Sequence, residues 1–254
     1  MAYLKRDGVR IFYESHGGDR GSGGPLPLLL SHGFGSSSRM WAPNVAALAA
    51  GRRVITWDLR GHGQSDAPQA ADQYSGAACV ADMAALLDAA GAQRAVLGGL
   101  SLGGYLSLSF CVAHPERVAA LVLCDTGPGF RKDEARQRWN DRALAQAARI
   151  EREGSGALGA DASLHDDALG VARAARGILT QHDASVIDSL PRIAVPVLVV
   201  VGSEDAAFLG AADYMAGKIP GAALTVIEGA GHVSNVDQPA QFNEAVTGFL
   251  AGLG

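Results

Sequence analysis

The stretch that most constrains this chain is 95–105, Ala-Val-Leu-Gly-Gly-Leu-Ser-Leu-Gly-Gly-Tyr, where a short apolar run stops at Ser101 between glycines and continues as a helical pattern. Gly99-Leu100-Ser101-Leu102-Gly103 fits G-x-S-x-G, and the fit has a mechanical reason. A strand that turns sharply into a helix holds the turning residue in a strained backbone conformation, and neighbours without Cβ atoms let the two arms approach. The serine hydroxyl then stands exposed at a helix N-terminus. In a chain with 33 glycines the pentapeptide alone is weak evidence, so its surroundings must carry the inference.

Those surroundings alternate. Runs at 27–32, 53–58, 95–100, 118–124, 196–201 and 223–227 are apolar nearly throughout, as strands covered on both faces are. Helical spacing predicts helices over 40–50, 75–90, 102–113, 206–218 and 238–250, several closed by Gly51, Gly91 or Pro115. Residues 3–14 alternate apolar and polar around Asp7-Gly8, which predicts an edge hairpin, and the glycine-rich 17–27 predicts a loop. The expected class is α/β, a mostly parallel central sheet with helices on both faces.

The rhythm breaks over 127–190, where charged helical segments at 132–152 and 165–179, separated by the glycine-rich 154–159, replace strands. This is long for a single crossover. The expectation is one domain, with a core of 1–126 and 191–254 and a helical insertion at 127–190 lying over the sheet as a cap.

Composition limits partners more than it names them. A chain of 254 residues, 48% hydrophobic and 19% charged, can bury one large core. Its formal charge of -5 provides no global basic field for nucleic acid or an anionic membrane. Cys79, Cys111 and Cys124 lack metal-ligand spacing and read as core residues of a reducing compartment. The first residues carry no signal-peptide pattern and no run approaches a membrane span, so the expected location is cytoplasmic.

Two later loops supply partners for Ser101. Gly202-Ser-Glu-Asp205 follows the penultimate strand and Gly229-Ala-Gly-His232 follows the last. In a parallel sheet both lie at the carboxyl edge, beside the elbow. The chain order Ser101, Asp205, His232 is that of an α/β-hydrolase triad.

Together with the His-Gly loop at 32–35 and Gly-His-Gly-Gln-Ser at 61–65, these motifs make the sequence resemble the α/β-hydrolase superfamily, its serine-esterase and enol-lactonase-like branch in particular. The resemblance spans nearly the whole chain outside 127–190. It implies Ser101 as nucleophile, His232 as general base and Asp205 as the acid that orients it, with the backbone N–H groups of Phe34 and Leu102 as the oxyanion hole. The acid stays open, because Glu204 is adjacent and some members of the superfamily take it from the position of Asp125, at the end of an earlier strand. Serine at the elbow argues against the haloalkane dehalogenase and epoxide hydrolase branches, whose alkyl-ester intermediate needs a carboxylate.

His32 and His62 read as structural residues of their loops, while His16, His114, His165 and His182 read as surface or capping residues. No phosphate loop, H-E-x-x-H or paired Cys/His spacing is found, so no nucleotide, metal or other cofactor is expected. Phe130 and Trp139 are the candidate pocket residues, with Leu144, Ile150, Ile178 and Leu179 as further candidates for an apolar chamber. Arg131, Arg138 and Arg142 are candidates to meet a substrate carboxylate. Residues 121–126 with Trp139 add a likeness to the 3-oxoadipate enol-lactonase group.

The expected function is hydrolysis of a small or medium carboxylic ester or lactone, with a small-molecule substrate, no nucleic acid and no membrane partner, the sequence giving no oligomeric state. A carbon–carbon bond hydrolase, or a lyase of the menaquinone-pathway type that uses the same Ser and His to move protons, is the competing enzyme reading. A ligand-binding receptor or scaffold of the same fold is the non-enzyme reading.

Overall fold

The computed structural model describes residues 2–18 and 24–253, so positions 19–23 of the expected loop lie outside the described residues. Strands β1 (Ala2–Arg6) and β2 (Val9–His16) form the expected hairpin, joined by Asp7-Gly8. They are followed by β3 (Leu28–Ser31), α1 (Ala42–Leu48), β4 (Val54–Trp57), α2 (Gly76–Ala89), β5 (Ala95–Leu100), α3 (Leu102–Ala113) and β6 (Val118–Cys124). After β6 come three helices, α4 (Asp133–Glu153), α5 (Ala168–Gly177) and α6 (Ser185–Ser189). The chain then returns through β7 (Val197–Gly202), α7 (Leu209–Lys218), β8 (Ala223–Ile227), α8 (Ser234–Asp237) and α9 (Pro239–Ala251).

The eight strands form one sheet in the order β1-β2-β4-β3-β5-β6-β7-β8. Only the β1–β2 and β2–β4 pairs are antiparallel, and every pair from β4 to β8 is parallel. β3, β5 and β6 therefore end at the same edge, together with β7 and β8. All the candidate loops emerge there.

Apolar runs alternate their side chains between two cores. Leu29, Ile55, Leu97, Leu121 and Val199 face Met83, Leu86, Leu106, Phe110 and Met215 on one side. Leu28, Leu30, Val96, Val122 and Val200 face Trp41, Leu48, Phe242 and Val246 on the other. Each such fully buried Leu or Phe contributes roughly 1.5–3 kcal/mol relative to exposure. The sheet is consequently the rigid base on which the edge loops stand.

Several elements differ from expectation: α7 starts at Leu209 rather than 206, and three further differences are local. The expected 40–50 helix divides into a 3-10 turn at Ser38–Trp41 and α1, with Pro43 in the first turn, where its missing N–H is no loss. The expected 165–179 helix starts later because the Asp167 carboxylate accepts from the Leu169 N–H at 2.8 Å and caps α5. The stretch expected as a separator is wound into 3-10 turns over Gly154–Leu164, kinked at Gly159. No described helix is long and apolar enough to cross a membrane.

Candidate active site

Ser101 stands at the β5–α3 junction with φ 53° and ψ -115°, a region that non-glycine residues rarely occupy. The junction is closed so tightly that a Cβ on Gly99 would lie 2.2 Å from the Gly103 carbonyl carbon, and one on Gly103 would lie 2.1 Å from the Ser31 carbonyl oxygen. Both glycines are therefore required by space. The strained backbone is pinned by the Ser101 N–H donating to the Cys124 carbonyl at 2.9 Å and by the Thr126 hydroxyl donating to the Ser101 carbonyl at 2.6 Å.

The β7 and β8 loops bring a carboxylate and an imidazole together. His232 Nδ1 donates to Asp205 Oδ2 at 2.8 Å, which leaves Nε2 as the basic nitrogen. The Asp205 side chain is 4% exposed and that of His232 42%, so the acid is shielded while the base reaches solvent and cavity. Shielding from water strengthens such a bond. The imidazole also stacks on Phe208, with ring centroids 4.8 Å apart. The sequence left the acid open, and the geometry pairs His232 with Asp205, whereas Glu204 is exposed.

Asp125 is placed differently. It is fully buried, accepts from the Gly202 N–H at 2.8 Å through Oδ1 and from the Ser234 hydroxyl at 2.5 Å through Oδ2. Burial raises its pKa to about 6, against the opposing pull of these hydrogen bonds and of His232.

Gly33 packs beside the elbow, where a Cβ on it would lie 3.5 Å from Ser101 Cβ. Phe34 follows it on the wall of a cavity of about 490 Å³ that Ser101 and His232 share. Neither the Phe34 N–H nor that of Leu102, the first residue of α3, takes a hydrogen-bond partner among the described residues. An unpaired N–H at a helix start is available to an anion.

The histidines around this loop hold it in place. Burial lowers the pKa of His32 to about 3, and its neutral ring donates from Nδ1 to the Gly33 carbonyl at 2.7 Å while Nε2 accepts from the Leu59 N–H at 3.0 Å. His62, also held neutral by burial, accepts from the Gly35 N–H at 3.2 Å. His165 corrects the expectation of a surface or capping residue. Half-buried just before α5, it accepts from the Gly63 N–H through Nδ1 at 3.0 Å and donates from Nε2 to the Gly35 carbonyl at 2.8 Å. Sequence offered no local signal for it, because its partners are loops that lie more than a hundred positions earlier in the chain.

A second cavity, of about 320 Å³, opens from Ser101 between the sheet edge and α4. Phe130, Trp139, Leu179 and Arg142 line it as the sequence suggested, and Tyr105, Thr126, Gln181 and Phe208 line it unforeseen. Trp139 is fixed by its Nε1–H donating to the Leu179 carbonyl at 2.8 Å. Other candidates lie elsewhere: Leu144 is exposed, Ile150 packs within the helices beyond β6, Ile178 joins the main core, and Arg131 pairs with Asp188 at 2.7 Å. Arg138 does not line this cavity. Among the described residues no group of three His, Cys, Asp or Glu side chains converges as a metal site.

Comparison with known proteins places this geometry among relatives. A Bacillus subtilis protein provisionally named 2-succinyl-6-hydroxy-2,4-cyclohexadiene-1-carboxylate synthase is 30% identical over 97% of both chains. A thermophilic esterase from Thermogutta terrifontis, solved with malate bound, superposes with a TM-score of 0.85 at 29% identity, covering 99% of this chain and 97% of its own. The enol-lactonase of Burkholderia xenovorans LB400 superposes at 0.79 with 29% identity, covering 98% of this chain and all of its own. The model of the alpha/beta hydrolase family matches residues 28–245, most of the sheet and every candidate loop, and the chain belongs to that family.

Proposed function

We propose that this protein hydrolyses a small or medium carboxylic ester or lactone, using its own side chains and no cofactor, through an acyl-enzyme on Ser101. The observation that carries the reading is the shielded Asp205 carboxylate bonded at 2.8 Å to His232, on the same cavity as the elbow serine. The esterase and enol-lactonase among its relatives support it.

In this reading Nε2 of His232 takes the Ser101 proton as the hydroxyl oxygen attacks the substrate carbonyl carbon. Asp205 holds the ring and stabilises the imidazolium, and the N–H groups of Phe34 and Leu102 receive the oxyanion, each worth about 3 to 4 kcal/mol of barrier. Collapse breaks the ester C–O bond, with the proton passing from His232 to the departing alkoxide. Water then repeats the sequence and frees Ser101. The segment 127–190 serves as the cap that closes the acyl side.

The test is intact-protein mass after reaction with a fluorophosphonate, on wild type and Ser101→Ala, beside turnover of short and long p-nitrophenyl esters. One adduct confined to wild type, with turnover, supports the reading. A folded protein with neither adduct nor turnover overturns it in favour of proton-moving chemistry or ligand binding.

A further inference from the structure

The two cavities that meet at Ser101 are lined differently, and the difference assigns them to the two halves of an ester. His232, which returns the proton to the departing alkoxide, lines the cavity of about 490 Å³ and not the one of about 320 Å³. Within the proposed hydrolysis, the leaving alcohol belongs to the former and the acyl chain to the latter.

The acyl cavity is walled by Phe130, Trp139, Leu179 and Phe208, and two neutral polar side chains without partners, Gln181 and Tyr105, stand between it and a neighbouring cavity of about 510 Å³. Gln181 is only 7% exposed, and its Oε1 is buried with no hydrogen bond. No hydrogen bond is made by its Nε2 or by the Tyr105 hydroxyl to any described residue. Burial pushes the Tyr105 phenol up to about 12, so it is a neutral donor at working pH. Gln181 and Tyr105 both press on Gly129, where an added Cβ would lie 2.8 Å from Gln181 Oε1 and 3.1 Å from the Tyr105 ring.

This part of the wall is built rather than incidental. The Gln181 backbone is clamped by Asn140, whose Oδ1 accepts from the Gln181 N–H and whose Nδ2 donates to the Gln181 carbonyl, both at 2.8 Å. The clamp fixes where the amide can reach and leaves the amide itself unused. A buried amide oxygen without a donor is destabilising, and folded proteins rarely keep one without a use.

We infer that Gln181 and Tyr105 form a subsite for a hydroxyl group carried on the acyl chain of the substrate. A hydroxyl can pair with the Gln181 amide and accept from the Tyr105 phenol, whereas a methyl group in its place leaves both unpaired in an apolar cavity. The cavity lining contains no acid, and its one cation, Arg142, is exposed to solvent.

The inference rests on the proposed hydrolysis, and the experiment separates the two. The kcat/KM values of p-nitrophenyl 6-hydroxyhexanoate, 7-hydroxyheptanoate and 8-hydroxyoctanoate are compared with those of the heptanoate, octanoate and nonanoate, which carry methyl in place of hydroxyl. Wild type is expected to prefer at least one hydroxy ester by about tenfold to a hundredfold, the discrimination of a buried polar group that is otherwise unpaired. Gln181→Met, which keeps the length and removes the amide, is expected to bring that ratio close to one, and Tyr105→Phe to lower it in part. Equal kcat/KM values across every pair in wild type overturn the subsite whatever the variants do. A preference undiminished in folded Gln181→Met overturns the role of the amide. Absence of turnover on all six esters, with no fluorophosphonate adduct, instead overturns the hydrolase reading and the subsite with it.

Discussion

Asp125 Oδ2 accepts the hydroxyl of Ser234 at 2.5 Å, and its second oxygen accepts the N–H of Gly202 at 2.8 Å. Gly202 begins the loop that carries Asp205, and Ser234 begins the helix that follows His232. One buried carboxylate therefore ties together the two loops whose tips meet in the Asp205–His232 bond. Asp125 is itself at φ 45°, a strained position for a residue with a side chain, and its contacts are what hold it there.

This arrangement separates two substitutions of similar chemistry. Asp205→Asn removes the negative charge that fixes the imidazole tautomer and stabilises the imidazolium, and is expected to lower kcat by about 10⁴, by analogy with other triad acids, with little change in Tm. Asp125→Asn keeps an oxygen for the Gly202 N–H and is expected to cost far less activity. Steady-state ester hydrolysis by both variants, beside their melting curves, checks the ranking, and the reverse ranking would assign the catalytic acid to Asp125.

Asp125 also makes stability depend on pH in a defined direction. Its pKa is raised from 3.8 to about 6 in the folded state, so between these values the folded chain holds a proton that the unfolded chain has released. Stability from this group is present below about 4 and is lost as pH rises through about 6. The Tm of wild type relative to Asp125→Asn should fall between pH 4 and pH 6.5 and remain level above. A difference that is constant with pH would refute the raised pKa.

Ser101→Ala is expected to abolish ester hydrolysis by several orders of magnitude while leaving Tm nearly unchanged, because the methyl side chain suits the same backbone. Ser101→Gly should be inactive and melt higher, since glycine accepts φ 53° without strain. Retained turnover in either variant would dismiss Ser101 as nucleophile.

His165 provides a prediction that the sequence did not suggest. Its ring bonds the Gly35 carbonyl and the Gly63 N–H, next to the N–H of Phe34 that is proposed to receive the oxyanion. His165→Ala should lower kcat by roughly tenfold with a smaller change in KM, and slow labelling by the fluorophosphonate, because the donor is less well placed. His165→Gln, able to accept and donate at once, should restore part of the loss. A change in Tm without any change in kcat would leave His165 a purely structural tie.

What the sequence determined by itself is what depends on neighbours along the chain. Continuous apolar runs, glycine-flanked Ser101 and helix-ending Gly51 and Gly91 act over a few residues, and they suffice for the succession of strands and helices, the mostly parallel sheet and the elbow, while the order of the strands in the sheet came from the structure. Even the candidate Asp205 and His232 loops were legible, because parallel strands deliver their ends to one edge. Tertiary structure alone decided which carboxylate meets His232, since Asp125 and Asp205 both end strands and only packing directs one to the imidazole and the other beneath it. It also decided the cavity walls. Gln181 and His165 lie in segments with no motif of their own and reach the site through contacts between parts of the chain distant in sequence, which no local pattern records, and Tyr105, one turn along α3 from Ser101, becomes a wall residue only through the cavity that the cap helices close.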